Sequence, residues 1–460
     1  MGRLPSAVAA AVVTVPVWWA LGLDQGVWLA VGLALGGYAV YRRDVHRAFA
    51  LLAAAFVGVA LLSGILSAEG LRWITLARNL LIISAFFGAV LGVTALARQP
   101  RALFAVLASL AAFLTISAAL SVLAFALQEP VAFTTLIAPL VPDEIASTTL
   151  GATSLTERSL ATTSYALPAG LFTRPRGLFL FSTSEAVALS VGTSLMLALA
   201  GWLPRWRTVF IAAAGLAFVA LLATTSRAPV GALALAGLLV WFARRVRIGN
   251  MRIEIRLTRP VIAAMGASVV AVLTIAVATG LAQPVIDVLW ARSGDVRAVL
   301  YEQTIDRWAQ RPVLGWGTEV DIAPTPTPVP TPTPLPTPTL TPPPPSPTPG
   351  PTPHSERPPA GSHSQYLGVL FKQGLVGLVL FLGLAALPLR RGLELFMQAR
   401  PGSDLLLVGL LTALAAGVAE ELWLDPATAV VVASVWGVAL GYRPDGGPPG
   451  ERGDGQESTP

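Results

Sequence analysis

The chain contains no cysteine and little charge. Only 12% of its 460 residues are charged and 54% are hydrophobic, whereas roughly a quarter of an average soluble domain is charged. The absence of cysteine excludes disulfides, thiolate metal ligands and a cysteine nucleophile. The chain also has no glycine-rich phosphate loop of the nucleotide-binding kind, so we do not expect an ATP-driven activity.

Long apolar stretches occupy most of the remaining sequence. The mean hydropathy is +0.68, and runs of about 17–25 apolar residues, each long enough to cross a bilayer, recur along the chain. The pattern predicts an all-α polytopic membrane protein with about twelve transmembrane helices in a membrane domain over residues 1–442. The predicted spans are 7–23, 26–41, 48–66, 73–97, 102–127, 183–203, 208–225, 228–243, 260–281, 366–389, 404–424 and 426–442.

The distribution of basic residues sets the expected orientation. The formal charge of +6 is not a nucleic-acid signature, because most Lys and Arg residues fall on alternate, inner segments. The short outward segments keep only Arg72, Arg78, Arg227 and Lys372. We therefore expect a multi-pass protein of the cytoplasmic membrane with both termini in the cytoplasm.

Two long loops are predicted on the extracytoplasmic side, over residues 128–182 and 282–365. The second loop begins with a sequence that predicts a helix over 295–311 and then contains a Pro/Thr-rich insert at 324–353. Alternating proline fixes φ and removes backbone donors, so the insert is expected to be an extended polyproline II rod in water. The tail, 443–460, is rich in glycine, proline and polar residues and is expected to be disordered.

Arginines gather on the predicted outward face and suggest an anionic ligand. They include Arg174, Arg176, Arg227, Arg292, Arg297, Arg307 and Arg311. Paired guanidinium groups bind phosphate oxygens in a fork geometry, which suits a lipid diphosphate at the membrane surface. The outward segments contain no Asp-x-Asp pair and no His/carboxylate spacing typical of a metal cage, so we predict a reaction without a metal or another cofactor.

Two motifs flank the Pro/Thr insert. The first runs R-x-x-x-Y-x-x-x-x-x-x-W-x-x-x-P-V-L-G-W-G from Arg297 to Gly317, and the second runs H-S-Q-Y-L-x-x-L-x-x-x-G-L-V-G from His363 to Gly377. Together with RPRGLFLF and TTSRAPVG upstream, they resemble the signature of the O-antigen ligase and polymerase superfamily. In this sequence Ser364 replaces the usual asparagine after the histidine, and the insert lengthens the loop.

The resemblance implies a membrane glycosyltransferase of the C-type kind. It gives His363 the role of general base and assigns Arg297 and Arg227 to the diphosphate. Further substrate contacts are expected from residues around these motifs: Arg174, Arg176, Arg292, Arg311, Tyr366 and Glu185.

The predicted function is transfer of a glycan from a polyprenyl-diphosphate carrier to an acceptor on the outer face of the cytoplasmic membrane, with inversion at the sugar. The acceptor is left open as a glycan, a lipid or a protein, so polymerase, ligase and protein O-glycosyltransferase are all retained. A transporter or flippase of lipid-linked sugars, and a non-catalytic assembly or sensing protein, are the alternatives from other classes. The other expected partner is membrane lipid.

Overall fold

The fold was established from a computed structural model of the chain. The structure describes residues 3–67, 72–128, 132–142, 155–167, 170–245, 293–317, 364–423 and 425–442. The predicted span 260–281, the Pro/Thr insert, most of the second long loop and the tail lie outside the described residues.

Helices dominate the described residues. They are α1 Arg3–Val13, α2 Val15–Leu21, α3 Asp24–Tyr41, α4 Arg47–Ile65, α5 Arg72–Leu96, α6 Pro100–Leu127, α7 Ser182–Trp202, α8 Arg207–Ala223, α9 Arg227–Arg245, α10 Ser293–Trp308, α11 Gln365–Met397, α12 Ser403–Ala416 and α13 Pro426–Gly441. Every predicted span except 260–281 overlaps one helix or, for 7–23, the pair α1 and α2, but the span predicted over 404–424 is helical only to Ala416 and the one predicted over 366–389 continues to Met397.

Seven of the described helices are long and apolar enough to cross a membrane, or up to eight if α1 and α2, which are bent by 56°, form one broken span. Helices α12 and α13 are apolar but have only 14 and 16 residues. The prediction of an all-α membrane protein is therefore confirmed in its coarse form. The number twelve, the loop placement and the sidedness of the termini stay predictions.

The first long loop contains β structure that the sequence did not predict. Strand β1 (Ala132–Thr134) pairs antiparallel with β2 (Glu157–Ser159), and β3 (Ala161–Leu167) pairs antiparallel with β4 (Gly170–Pro175). The Arg158 side chain of β2 forms a buried ion pair with Asp24 at the start of α3, and both residues are 1% exposed. This pair holds the loop against the helices.

The centre of the bundle is formed by α7 and α13, in which nearly every residue is buried. A helix that is apolar on all sides fits only where neighbours surround it. Helices α3 and α5 approach each other closely, because a Cβ on Gly36 would lie 2.8 Å from Gly88 Cα. Small residues at four-residue spacing allow such backbone contact in membrane helices.

Candidate functional site

The PVLGWG motif, residues 312–317, packs against a break in α11. The helix is interrupted at Gly374, whose φ of 65° and ψ of −166° are non-helical. Two carbonyls before the break accept bonds from the motif, Trp316 N to Phe371 O at 2.8 Å and Gly317 N to Lys372 O at 2.7 Å. Beyond the break, Leu375 N donates to Pro312 O at 2.9 Å. The motif thus supplies hydrogen-bond partners for backbone groups of α11 next to the break. We call the contact between residues 312–317 and residues 371–375 the junction.

The glycines of both motifs are required by the junction. Gly315, Gly317 and Gly374 have φ values of 67°, 69° and 65°, a region that residues with a Cβ rarely adopt. A Cβ on Gly315 would also lie 2.5 Å from Phe371 O and 2.6 Å from Gly374 N. The spacing P-x-x-G-x-G followed by G-L-V-G is therefore explained by backbone packing.

Ser63, near the end of α4, completes the junction. Its hydroxyl donates to Leu314 O and also lies 2.8 Å from Lys372 O, so one side chain joins the motif to α11. On the other side, the Arg311 guanidinium lies 4.2 Å from the centre of the Trp316 ring, and Trp316 Nε1 donates to Arg307 O at 2.9 Å. Ser63 was missed by sequence reasoning, because nothing in α4 marks it as a partner of a residue more than 200 positions away.

The start of α11 is clamped to the turn between α12 and α13. Ser364 is the N-cap, 2% exposed, and its hydroxyl accepts a bond from Leu367 N at 3.4 Å. Gln365 N donates to Gly417 O at 2.8 Å, and Gln365 Oε1 accepts from Leu422 N at 2.9 Å. His363 itself lies outside the described residues. The serine that replaces the family's usual asparagine thus acts as a helix cap, which serine does well.

A small cavity of about 50 Å³ lies beside this clamp, with room for one or two water molecules. Lys372 faces Glu421 across 3.6 Å. Asn79 Nδ2 and Trp423 Nε1 are buried donors with no hydrogen-bond partner among the described residues. The other polar residues that line the cavity are Arg78, Gln365 and Gln373. Most of its polar groups are donors, which suits an oxygen-rich ligand or bound water.

Arg174 and Arg227 come together at one end of the bundle. The Arg174 side chain, at the end of β4, donates from Nε to Thr224 O at 2.9 Å and from Nη2 to Ser226 Oγ at 2.6 Å. These bonds fix the turn that leads into α9, whose first residue is the exposed Arg227. Arg174 is thus bonded to residues one and three positions before Arg227, while the contact of both arginines with substrate stays a prediction.

Arg176 and Glu185 lie inside the protein. Arg176 is 7% exposed and donates from Nε to Ser159 O at 2.8 Å and from Nη1 to Leu180 O at 2.9 Å. Burial lowers the pKa of Arg176 to about 10, so the group remains charged at neutral pH. Glu185 is 0% exposed and accepts from Ser121 Oγ at 2.6 Å and Ser117 Oγ at 3.0 Å. Both side chains therefore have structural partners, and their predicted contact with substrate is not tested.

The other predicted site residues are distributed as follows. Tyr366 donates its hydroxyl to Leu414 O at 2.8 Å. Arg297 lies in α10, one turn before Tyr301, whose hydroxyl approaches Val418 O at 3.5 Å. Arg311 is exposed and stacks on Trp316 as described above. Arg292 lies outside the described residues.

The starts of α9 and α11 and the end of α12 lie on the same side of the bundle. Helix α9 packs on α12, and the ion pair between Arg244 and Asp404 joins their far ends. Because each helix rises about 1.5 Å per residue, Arg227 and Gly417 both lie roughly 20–26 Å from that ion pair, at the same end. Gly417 in turn binds the start of α11. The described part of the chain contains no group of three or more His, Asp or Glu residues placed to hold a metal ion.

Comparison with known proteins agrees with the motifs. Residues 212–382 match the family model described as O-antigen ligase, a segment that runs from α8 across the junction into α11. None of the curated proteins compared matches the chain. The matched segment contains Arg227, Arg297, the PVLGWG motif and His363. The resemblance to the O-antigen ligase and polymerase superfamily predicted from the sequence is thereby confirmed over residues 212–382.

Proposed function

We propose that the chain is a membrane glycosyltransferase that moves a glycan from a polyprenyl-diphosphate carrier to an acceptor at the outer face of the cytoplasmic membrane. The observation that carries this proposal is the family match over residues 212–382, which includes both motifs, with Arg297 in the first of them, and Arg227 upstream. The clamped start of α11 supports it, since Gln365, two positions after His363, is bound to the α12–α13 turn. The proposal assigns the role of base to His363, which directly precedes the N-cap Ser364 in the sequence.

The proposed reaction is a single inverting displacement. His363 accepts the proton of the acceptor hydroxyl or amine, and the acceptor oxygen or nitrogen attacks C1 of the carrier-linked sugar. The bond between C1 and the diphosphate oxygen breaks, so the carrier leaves as polyprenyl diphosphate with both bonding electrons. Arg227 and Arg297 stabilise the negative charge that develops on this leaving group, the role that a metal has in other transferases.

Positioning of the cations is the second element of the proposal. Two N–H groups of Arg174 donate hydrogen bonds to Thr224 and Ser226, so the main effect of this side chain is to orient the turn before Arg227. The donors around the small cavity, including Asn79 Nδ2 and Trp423 Nε1, are close to the start of α11 and suit sugar hydroxyls or the acceptor. The acceptor class, whether glycan, lipid or protein, is not encoded in these contacts.

The test uses the purified full chain with a lipid-linked oligosaccharide and candidate acceptors. We expect free polyprenyl diphosphate to appear in a one-to-one ratio with glycosylated acceptor, both with and without EDTA. Replacing His363 with alanine should lower the rate by about 10²–10⁴-fold, the contribution of a general base. The matched control is His354→Ala, nine positions earlier in the same predicted loop, which should keep the wild-type rate.

Three results would overturn parts of this proposal. Movement of the lipid-linked glycan across a vesicle membrane without release of polyprenyl diphosphate would favour the flippase alternative. Loss of the reaction in EDTA would refute the metal-free mechanism. Retention of full activity in His363→Ala would remove the assigned base.

A further inference from the structure

A second, larger cavity lies at the other end of the bundle. Its volume is about 440 Å³, and four separate segments form its walls: the α3–α4 turn, the end of α5, the second half of α11 and the end of α13. We call it the opposite-end pocket. Its lining includes the charged residues Asp44, Arg98, Arg390, Arg391 and Glu394 together with His46.

This pocket is separate from the junction. Helix α11 passes through the junction at Gly374 and reaches the pocket at Arg390, sixteen residues later, which is about 24 Å along a helix. In the predicted topology this end is the cytoplasmic one. The proposed glycan transfer does not use any residue of the pocket.

The arginines of the pocket are held in place by groups already present. Arg391 binds Glu394 at 2.9 Å through Nη1 and Tyr442 O at 3.0 Å through Nη2. Arg390 binds the other oxygen of Glu394 through Nε at 3.1 Å. Because one carboxylate is shared by two guanidinium groups, the pair carries an excess positive charge. Arg391 is also bonded to Tyr442 O, whereas the Arg390 side chain is 83% exposed and accessible to a ligand. Neighbouring guanidinium groups bind phosphate oxygens in proteins.

The third arginine and the histidine strengthen this preference for anions. Arg98 pairs with Asp44 at 2.6 Å, so the pocket has three guanidinium groups and two carboxylates. His46 caps α4 and accepts a bond from Phe49 N through Nδ1, which leaves the ring proton on Nε2 as a donor. The positive end of the α4 dipole lies at this cap and also favours an anion.

A topology anchor alone does not explain the pocket. Arginines that only retain a loop on one side of the membrane need water or lipid headgroups around them, not a cavity built by four segments. Here Leu387, Leu440 and Val45 provide apolar walls beside the arginines. The volume falls in the range of about 300–1,000 Å³ found for small-molecule sites.

We propose that the opposite-end pocket binds a phosphate-bearing anion through Arg390, Arg391 and Arg98. A phosphodiester lipid headgroup and a free phosphate compound share the chemistry that these residues recognise. The apolar walls would accept the glycerol and upper acyl chain of a lipid, and the experiment below separates the two sources.

The experiment measures binding to the purified full chain, not transfer activity. Native mass spectrometry counts phosphatidylglycerol that the protein retains when it is released from mixed phosphatidylglycerol/phosphatidylcholine micelles. Thermal stability in a neutral detergent is followed in parallel with increasing pyrophosphate at constant ionic strength. The test variant is Arg390→Gln combined with Arg391→Gln, and the control is Arg101→Gln combined with Arg205→Gln, which removes the same charge from exposed positions outside the pocket.

We expect at least about a tenfold loss of affinity in the test variant and wild-type behaviour in the control, because each charge-assisted bond to phosphate is strong. Retained phosphatidylglycerol that disappears only in the test variant identifies a lipid headgroup. A pyrophosphate-dependent stabilisation that disappears only in the test variant identifies a soluble phosphate compound. Equal results for the test and control variants, or no binding by the wild type, would overturn the proposal.

A third variant addresses misfolding of the double mutant. Glu394→Gln removes the shared carboxylate and keeps both arginines, so the proposal predicts tighter anion binding than in the wild type. If Arg390, Arg391 and Glu394 have only a structural role, Glu394→Gln should instead weaken the fold without any gain in binding. Unchanged or weaker binding by a folded Glu394→Gln protein therefore contradicts the proposal.

Discussion

Replacement of Gly315 with alanine tests whether the junction holds the motifs in place. At its φ of 67°, a residue with a Cβ costs about 1–2 kcal/mol relative to glycine. The new Cβ would lie 2.5 Å from Phe371 O, far inside the ordinary contact distance of about 3.5–4.0 Å. Relieving this overlap requires the motif to move away from α11.

Such a movement breaks the bonds from Trp316 N and Gly317 N to the carbonyls of α11. Each bond contributes about 0.5–1.5 kcal/mol net, so the total cost of Gly315→Ala is about 2–5 kcal/mol. The expected result is a clear fall in thermal stability of the full chain in detergent, together with loss of glycan transfer.

Gly237→Ala is the matched control for this prediction. Gly237 lies in α9, within the same family match, and a Cβ there would have no atom of the described residues within 4 Å. Alanine in a helix is favoured over glycine by roughly 0.5–1 kcal/mol, so the control should be as stable as the wild type or slightly more stable. A Gly315→Ala protein with the stability and activity of the control would refute the structural role of the junction.

Three further substitutions test other contacts. Ser63→Ala leaves Leu314 O without its side-chain donor and should lower the unfolding free energy by about 1–3 kcal/mol, measured by thermal denaturation against an exposed serine replaced in the same way. Arg174→Lys keeps the charge but cannot bind both of its partners, so the transfer rate should fall while stability changes by less than about 1 kcal/mol; an unchanged rate would show that geometry at this position is unimportant. Asp24→Asn removes the carboxylate that bonds the buried Arg158 guanidinium, with Asp425 left as a nearby acid, and should destabilise the protein by up to about 3–5 kcal/mol in the same assay. Stability equal to the wild type would contradict a buried pair.

Hydropathy was sufficient to locate the helices. The hydropathy signal is strong because a membrane-spanning helix must form all its backbone hydrogen bonds internally and expose apolar side chains to lipid. Both the length and the composition of the segment therefore identify it. Helix α10 was also expected, although it ends at Trp308 and not at Arg311. The difference arises because the last residues are drawn into the junction, where Arg311 O accepts from Gly315 N at 3.0 Å.

The β ladders of the first long loop were not predictable from the same information. The segment that contains β1 to β4 is rich in Ser and Thr and has no regular alternation of apolar and polar residues. Its strands are stabilised by distant contacts, such as Arg158 with Asp24 and Thr173 with Gln128 O. Contacts between residues far apart in the sequence leave no periodic signal in either segment.

The two arginines of the RPR sequence, on either side of Pro175, have different surroundings in the structure. The motif alone gives Arg174 and Arg176 equal standing as cationic contacts. In the structure, Arg176 is buried and its Nε and Nη1 bind two carbonyls, whereas Arg174 lies half-buried beside the turn that carries Arg227. A guanidinium that already satisfies buried carbonyls cannot turn to a substrate without leaving them unpaired, which costs about 1–3 kcal/mol.

The family signature contains residues with a packing role and residues that packing does not explain. Pro312 to Gly317 and Gly374 are explained by backbone bonds at the junction, so their spacing would be needed even in a protein that had lost its activity. Arg227 is exposed at the first turn of its helix, where a packing role does not account for a cation at the positive end of the helix dipole. A cation placed against the dipole is unfavourable unless an anion offsets it, and a diphosphate bound at that helix start would do so.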